Sequence, residues 1–282
     1  MIPFLSVIIL TVSLLTGMIS LPYGTRFLRE KGLVGTNFQG ASIPTSYGGV
    51  LAFLYLLLTI FLLGMNQLLP LSLFPFTLFL AVWAASLGAV WLGWLDDTLG
   101  DHDNKGLGGH IRAWLQNRTV TTGLIKAVGG VAIAAVAAFV TSRGGWWWPL
   151  HTLFIALVTN WLNLLDLRPG RCLKFYLAAA ILLGILFIDR GSTLLFLPLL
   201  GLALAAFRAD LSARIMLGDS GSNLLGIQLG IWVAAVSPPV VLLFLTILLI
   251  AGHIIGETVS ITRIIENSRW LSYLDRLGRD PQ

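Results

Sequence analysis

Cysteine and charge are what this sequence has least of. A single cysteine, Cys172, excludes a disulfide framework and a cysteine-built metal cluster. Charged residues make up 11% of the 282-residue chain, where a soluble globular domain carries roughly 25%. That shortfall, beside 56% hydrophobic residues and a mean hydropathy of +0.86, excludes an ordinary water-soluble fold and implies a polytopic membrane protein. No repeat of fixed period, low-complexity segment or linker is visible, so a second large domain is not expected. The net charge of +5 does not point to nucleic acid. The basic residues sit in short loops between apolar runs, where membrane topology puts them. Residues 1–21 lack a basic leader region and an obvious cleavage site, so they read as a retained first span rather than a signal peptide.

A helix rises about 1.5 Å per residue, so a hydrocarbon slab of about 30 Å takes about 20 apolar residues. Nine runs qualify or nearly so: 1–21, 46–65, 70–95, 120–141, 148–166, 173–188, 192–207, 222–237 and 239–262, with the sixth to eighth short. The pattern predicts an all-α membrane bundle of about nine helices over 1–262. A basic tail, 263–282, follows, in which "ENSRWLSYLDRLGRD" looks like an amphipathic interfacial helix. With the N-terminus outside, fifteen Lys and Arg residues between Arg26 and Arg279 fall on the cytoplasmic side, against Arg143 and Arg190 outside. Lys126 lies just inside the fourth span. This bias predicts an external N-terminus, an external "GGWWWP" aromatic belt at 144–149 and a cytoplasmic tail.

The scarce acids then stand out. "GWLDD" puts Asp96 and Asp97 at the cytoplasmic end of the third span, "NWLNLLD" puts Asp166 at that end of the fifth, and "GDSGSN" puts Asp219 at the cytoplasmic start of the eighth. Carboxylates at a membrane boundary are costly unless paired, and so mark sites. Clustered carboxylates are hard oxygen ligands suited to Mg²⁺, which keeps waters and binds substrate phosphates. Gly218 would let backbone approach a ligand, and Ser220 and Ser222 can cap the helix, whose free N–H groups favour a phosphate. Asn160, Asn163 and Asp166 recur every third residue and share a helix face. Arg168 and Arg171 flank a turn suited to phosphate.

Four blocks in order resemble the polyprenyl-phosphate N-acetylhexosamine-1-phosphate transferases, relatives of phospho-N-acetylmuramoyl-pentapeptide transferase. They are "IPTSYGG", "GWLDDTLGD", "NWLNLLD" and "ARIMLGDSGSNLLG". The resemblance implies Mg²⁺-dependent transfer (Mn²⁺ as a substitute) of a sugar 1-phosphate from a nucleotide-sugar, UDP-linked in the family, to a polyprenyl phosphate. That reaction belongs to the cytoplasmic face of a bacterial plasma membrane, in cell-envelope glycan synthesis. It also implies catalytic roles for Asp96, Asp97 and Asp219, with Asp219 and Asp97 at the metal, while the residues above shape the substrate side. Asn160, Asn163, Asp166, Arg168, Arg171, Gly218, Ser220 and Lys105 are the expected substrate-binding set. The expected partners are the two substrates and membrane lipids, with a homodimer allowed. The chain departs from the family pattern after Asp166, where Leu167 replaces a glycine and Pro169 a second aspartate. Ala209 stands where the family often has asparagine, and no tenth span follows the ninth.

The residues alone leave other readings open. The carboxylates could decorate helix ends, the asparagines could join helices, and Arg168 and Arg171 could be anchors. His102 and His110, with Asp101 and Asp103, could be taken for a zinc site but lack ligand spacing. His253 and Glu257, four apart, could form a buried pair. The competing functions are a non-catalytic lipid-phosphate binder acting as scaffold or regulator, and a cation transporter, which should show broken helices or an internal repeat.

Overall fold

The computed structural model describes every residue except 38, 69–71, 101–119, 143 and 280–282, and omits the side chain of Glu257. Among the described residues, nine helices form the bundle: α1 (Ile2–Glu30), α2 (Gly48–Leu68), α3 (Phe76–Leu99), α4 (Thr122–Thr141), α5 (Trp147–Leu165), α6 (Arg171–Leu186), α7 (Leu197–Leu211), α8 (Gly218–Val236) and α9 (Pro239–Thr258). Each overlaps one of the nine apolar runs. By length and composition, α1, α2, α3, α4 and the 239–256 part of α9 are each apolar enough to cross a membrane. The other four do not stand out that way, and the reason is visible in their packing.

Helix α8 is the hub. It packs against α2, α3, α4, α5 and α6, and is buried without interruption from Ser220 to Trp232. A helix surrounded by protein need not be apolar all round, because its polar groups find partners inside. Gln228 Nε2 donates to Ser86 Oγ of α3 at 3.0 Å, and Phe196 stacks on Trp232 with centroids 5.1 Å apart. Helix α6 has 16 residues and α7 has 15, so at about 1.5 Å per residue they reach only about 24 and 22 Å. Helix α7 is buried along nearly its whole length and packs most extensively against α1. α1 meets it with a stripe of small residues including Ser6, Ser13 and Gly17. The Ser6 and Ser13 hydroxyls turn back onto the Ile2 and Ile9 carbonyls at 3.0 and 2.7 Å, so they bring no unpaired polar group into the apolar slab.

The loop before α2 contains a short antiparallel hairpin, β1 (Val34–Thr36) and β2 (Ser42–Pro44). The Asn37 side chain shapes its turn by accepting from the N–H groups of Gln39 and Ala41, each at 2.9 Å. Beyond the hairpin the chain pairs with the segment entering α8. Met216 N donates to Pro44 O at 2.8 Å, Tyr47 N to Met216 O at 3.1 Å, and Gly48 N to Leu217 O at 3.0 Å. A Cβ on Gly48 would overlap the Gly221 backbone, so only glycine lets α2 start this close to α8. The ends of α3, α5, α7 and α9 and the starts of α2, α4, α6 and α8 therefore gather at one end of the bundle.

Candidate active site

That end brings together acids remote in sequence. Asp97, in the last turn of α3, accepts from Asp219 N at 2.7 Å through one oxygen and from Ser220 N at 3.2 Å and Ser46 Oγ at 2.8 Å through the other. It thus caps the N-terminus of α8 from another helix, supplying negative charge where the unpaired N–H groups and the helix dipole favour it. Gly218 is at φ +69, and a Cβ there would run into the Asp97 carboxylate. Its lack of a Cβ serves this capping contact. Ser46, at φ +56, is the strained member. A non-glycine residue held there costs about 1–3 kcal/mol, offset by its charge-assisted bond to Asp97.

Asp96, one position earlier, points elsewhere because helix neighbours diverge by about 100°. Its carboxylate meets Lys126 Nζ of α4 at 3.3 Å, and the same ammonium forms an ion pair with Asp219. The other Asp219 oxygen accepts from Asn163 Nδ2 of α5 at 2.8 Å, and Asn163 also donates to Ser222 Oγ at 3.0 Å. Asp166 closes this side at the α5 C-cap, within electrostatic range of Asp97, Asp210, Asp219 and Lys126. The Asp96, Lys126 and Asp219 side chains keep 24%, 18% and 30% of their surface accessible, so the cluster can be reached by a ligand. Asp96 and Asp219 are the carboxylates that could share a divalent cation. Asp97, expected at the metal, has both oxygens taken up by α8 and Ser46.

The side chains of several other expected substrate residues are directed elsewhere. Ser220 is fully buried, with its hydroxyl directed at Leu217 O, 3.4 Å away. Asn160 is exposed, and its side chain has no hydrogen bond among the described residues. It lies one turn from Asn163 and rotated by about 60°, enough to miss Asp219. Arg171 is buried, and its fork is committed to Asp275 at 2.8 and 3.1 Å and to Thr262 Oγ1 at 3.1 Å. The geometry that suited a phosphate is filled by a carboxylate of the chain's own tail. Arg168 sits half-buried in the same turn. Lys105, the proposed histidine–aspartate zinc ligands and the Glu257 side chain lie outside the described residues. His253 packs on Trp161 with ring centroids 5.6 Å apart, and its Nδ1 lies 2.7 Å from Leu249 O. His151, beside the tryptophan belt, is buried with Nδ1 3.1 Å from Thr141 Oγ1.

Two site residues were not anticipated. Lys126 had a sequence signal: a lone lysine within an apolar span needs an acidic partner. Ser46 had none, because its left-handed backbone cannot be read from residue type.

The family model described as Glycosyl transferase family 4 matches residues 79–237, more than half of the chain. The matched stretch contains Asp96, Asp97, Lys126, Asn163, Asp166 and Asp219, and ends as α8 ends. No curated protein matches.

Proposed function

Given that this chain belongs to glycosyl transferase family 4, the polyprenyl-phosphate sugar-1-phosphate transferases, we propose that it moves an N-acetylhexosamine 1-phosphate from a UDP-sugar to a polyprenyl phosphate. The acceptor is undecaprenyl phosphate, at the cytoplasmic face of a bacterial plasma membrane, and the product starts a cell-envelope glycan. The observation that carries the proposal is the meeting of Asp96 and Asp219 on one ammonium, Lys126, with Asn163 fixing the second Asp219 oxygen.

An oxygen of the lipid phosphate attacks the phosphorus that bears the sugar. A new P–O–P link forms, the bond from that phosphorus to the UMP oxygen breaks, and UMP leaves with that oxygen. Such transfers are driven mainly by positioning and by stabilising spread negative charge. Lys126 exchanges its carboxylate partners for the donor diphosphate. Asp96 orients the acceptor phosphate and takes its proton when it arrives as the monoanion. Asp97 acts through Asp219 by fixing the start of α8, while Asn163 and Asp166 border the nucleotide-sugar side.

Mg²⁺ fits this donor set, because two carboxylates from different helices already converge on a single positive charge. Among the described residues no three His, Cys, Asp or Glu side chains form a group that could hold a metal ion, so water and substrate phosphate would have to supply the rest of its shell. Asp219 and Asp96 would hold it. When bound, it would neutralise diphosphate charge, and Mn²⁺ shares its oxygen chemistry.

The test supplies the protein in membranes with undecaprenyl phosphate, Mg²⁺ and a panel of radiolabelled UDP-sugars. A labelled lipid should form with an equal amount of UMP, and chelation should stop it. Binding of the lipid phosphate without UMP release from any nucleotide-sugar would contradict the transfer and favour the non-catalytic scaffold.

A further inference from the structure

The chain after α9 lies beyond the matched residues and folds back over the turn that follows α5. It forms two short helices, α10 (Ile261–Asn267) and α11 (Arg269–Arg276). Asp275 of α11 receives Arg171 Nε and Nη2 at 2.8 and 3.1 Å, and Arg279 Nη2 at 2.9 Å. Arg279 Nε donates to Pro169 O at 2.8 Å, and Lys174 Nζ donates to the Leu274 and Asp275 carbonyls at 2.9 and 2.7 Å. On its inner side the same turn is held by Asp210, which accepts from Gly170 N at 2.8 Å. The segment from Asp166 to Lys174 is therefore clamped between Asp210 and the tail, with Asp166 at the end nearer Asp219.

The other face of α11 has a different character. Trp270, Tyr273, Leu274 and Leu277 are spaced as one helical stripe and all are exposed, Trp270 to 79%. Asp275 lies on the opposite side of the helix, and Arg279 follows its end. Arg263, Arg269 and Arg276 are exposed around the stripe, and α10 begins directly after the membrane-spanning α9. A tryptophan–tyrosine–leucine stripe with arginine flanks, tethered to the end of a span, matches the interface of a bilayer containing anionic headgroups.

We propose that Asp275 is a positioning residue: it holds the Asp166–Arg171 turn on the donor side of the site, and the apolar face of α11 seats it on the lipid surface. The transfer reading above enters only in naming the kinetic constant that should move; the clamp and its lipid seat stand without it.

The test uses the full chain in nanodiscs, of phosphatidylcholine alone or mixed with phosphatidylglycerol. Asp275→Asn should speed backbone hydrogen exchange across 166–174 and raise the donor KM about 2- to 30-fold, the range for couplings carried through a packed network. The kcat and the KM for polyprenyl phosphate should stay unchanged, and Asp275→Glu should recover most of the loss. Arg171→Lys should add little to Asp275→Asn, because both break one contact; an additive effect would mean that Arg171 touches the donor itself and would overturn the proposal. Trp270→Ser with Tyr273→Ser leaves the ion pairs intact, and should loosen the same turn in the anionic nanodiscs. Unchanged exchange in either variant, or faster exchange with an unchanged donor KM, would also overturn it. Should no nucleotide-sugar turn over, the exchange measurements alone still decide whether the clamp exists.

Discussion

The Asp97 carboxylate holds the backbone N–H of Asp219 at 2.7 Å, although 122 positions separate the two residues. This contact makes adjacent aspartates unequal. Asp97 fixes where α8 begins, and Asp96 faces Lys126.

Asp97→Asn should therefore be a folding lesion as well as a catalytic one. A hydrogen bond to a charged group contributes about 1.5–3 kcal/mol, and we expect a loss of that order in thermal unfolding in detergent. Activity should fall with it and should not return at high Mg²⁺. Asp96→Asn should lose activity with little change in unfolding temperature. Equal stability of the two variants would remove the capping role of Asp97.

Lys126→Met leaves Asp96 and Asp219 facing one another without a counter-charge. Turnover should drop by about 10²–10³-fold, as when one charge-stabilising donor is removed. Without the ammonium, Mg²⁺ should also raise the unfolding temperature more than it does in the wild type, because the cation then relieves carboxylate repulsion. Identical Mg²⁺ stabilisation of both proteins would show that the metal does not bind between these residues.

The outline of the bundle was legible because apolar run length maps onto helix position; each of the nine runs overlaps a helix, although α1 continues nine residues past its run and α7 begins five residues into its own. Asp96, Asp219, Asn163 and Asp166 were legible because charge and amide groups at span ends are rare enough to be noticed. The capping role of Asp97 was not legible for a reason outside its local sequence: its partners are Ser46 and the α8 backbone, and backbone N–H groups carry no signature in residue type. The partner of Arg171 was hidden for a related reason. A guanidinium fork fits phosphate and carboxylate equally well, and Asp275, the partner that fills it, lies 104 positions away. The tail's amphipathic character could be read from its spacing, but not the turn beneath it.

The tail clamp should depend on pH with a definite sign. Burial alone would raise the Asp275 carboxyl, but the hydrogen bond and charge of Arg171, together with Arg279, outweigh it and hold its pKa below the ordinary value. A depressed folded pKa contributes stability above the unfolded value, about 3.9, and loses it as pH falls through the folded value. Exchange protection of 268–279 should stay flat from neutrality down to about pH 4 and be lost below it, whereas Asp275→Asn should show no such step. Loss of protection already near pH 6 would point to a different titrating group.

The charge bias predicts that Gly144 and the C-terminus lie on opposite sides of the membrane. Reporter fusions at Gly144 and at Gln282 should give opposite signals, with the C-terminal one cytoplasmic. Matching signals would refute the nine-span arrangement.

The central claim, that the Asp96–Lys126–Asp219 cluster performs the transfer, is tested most directly by the rate of labelled polyprenyl-diphospho-sugar formation in Asp219→Asn. Asparagine keeps the side-chain shape and removes the charge that Lys126 and a cation would share. The predicted result is a loss of about 10²-fold or more, with unchanged helical content and continued binding of polyprenyl phosphate. Turnover at the wild-type rate in that variant would contradict the account.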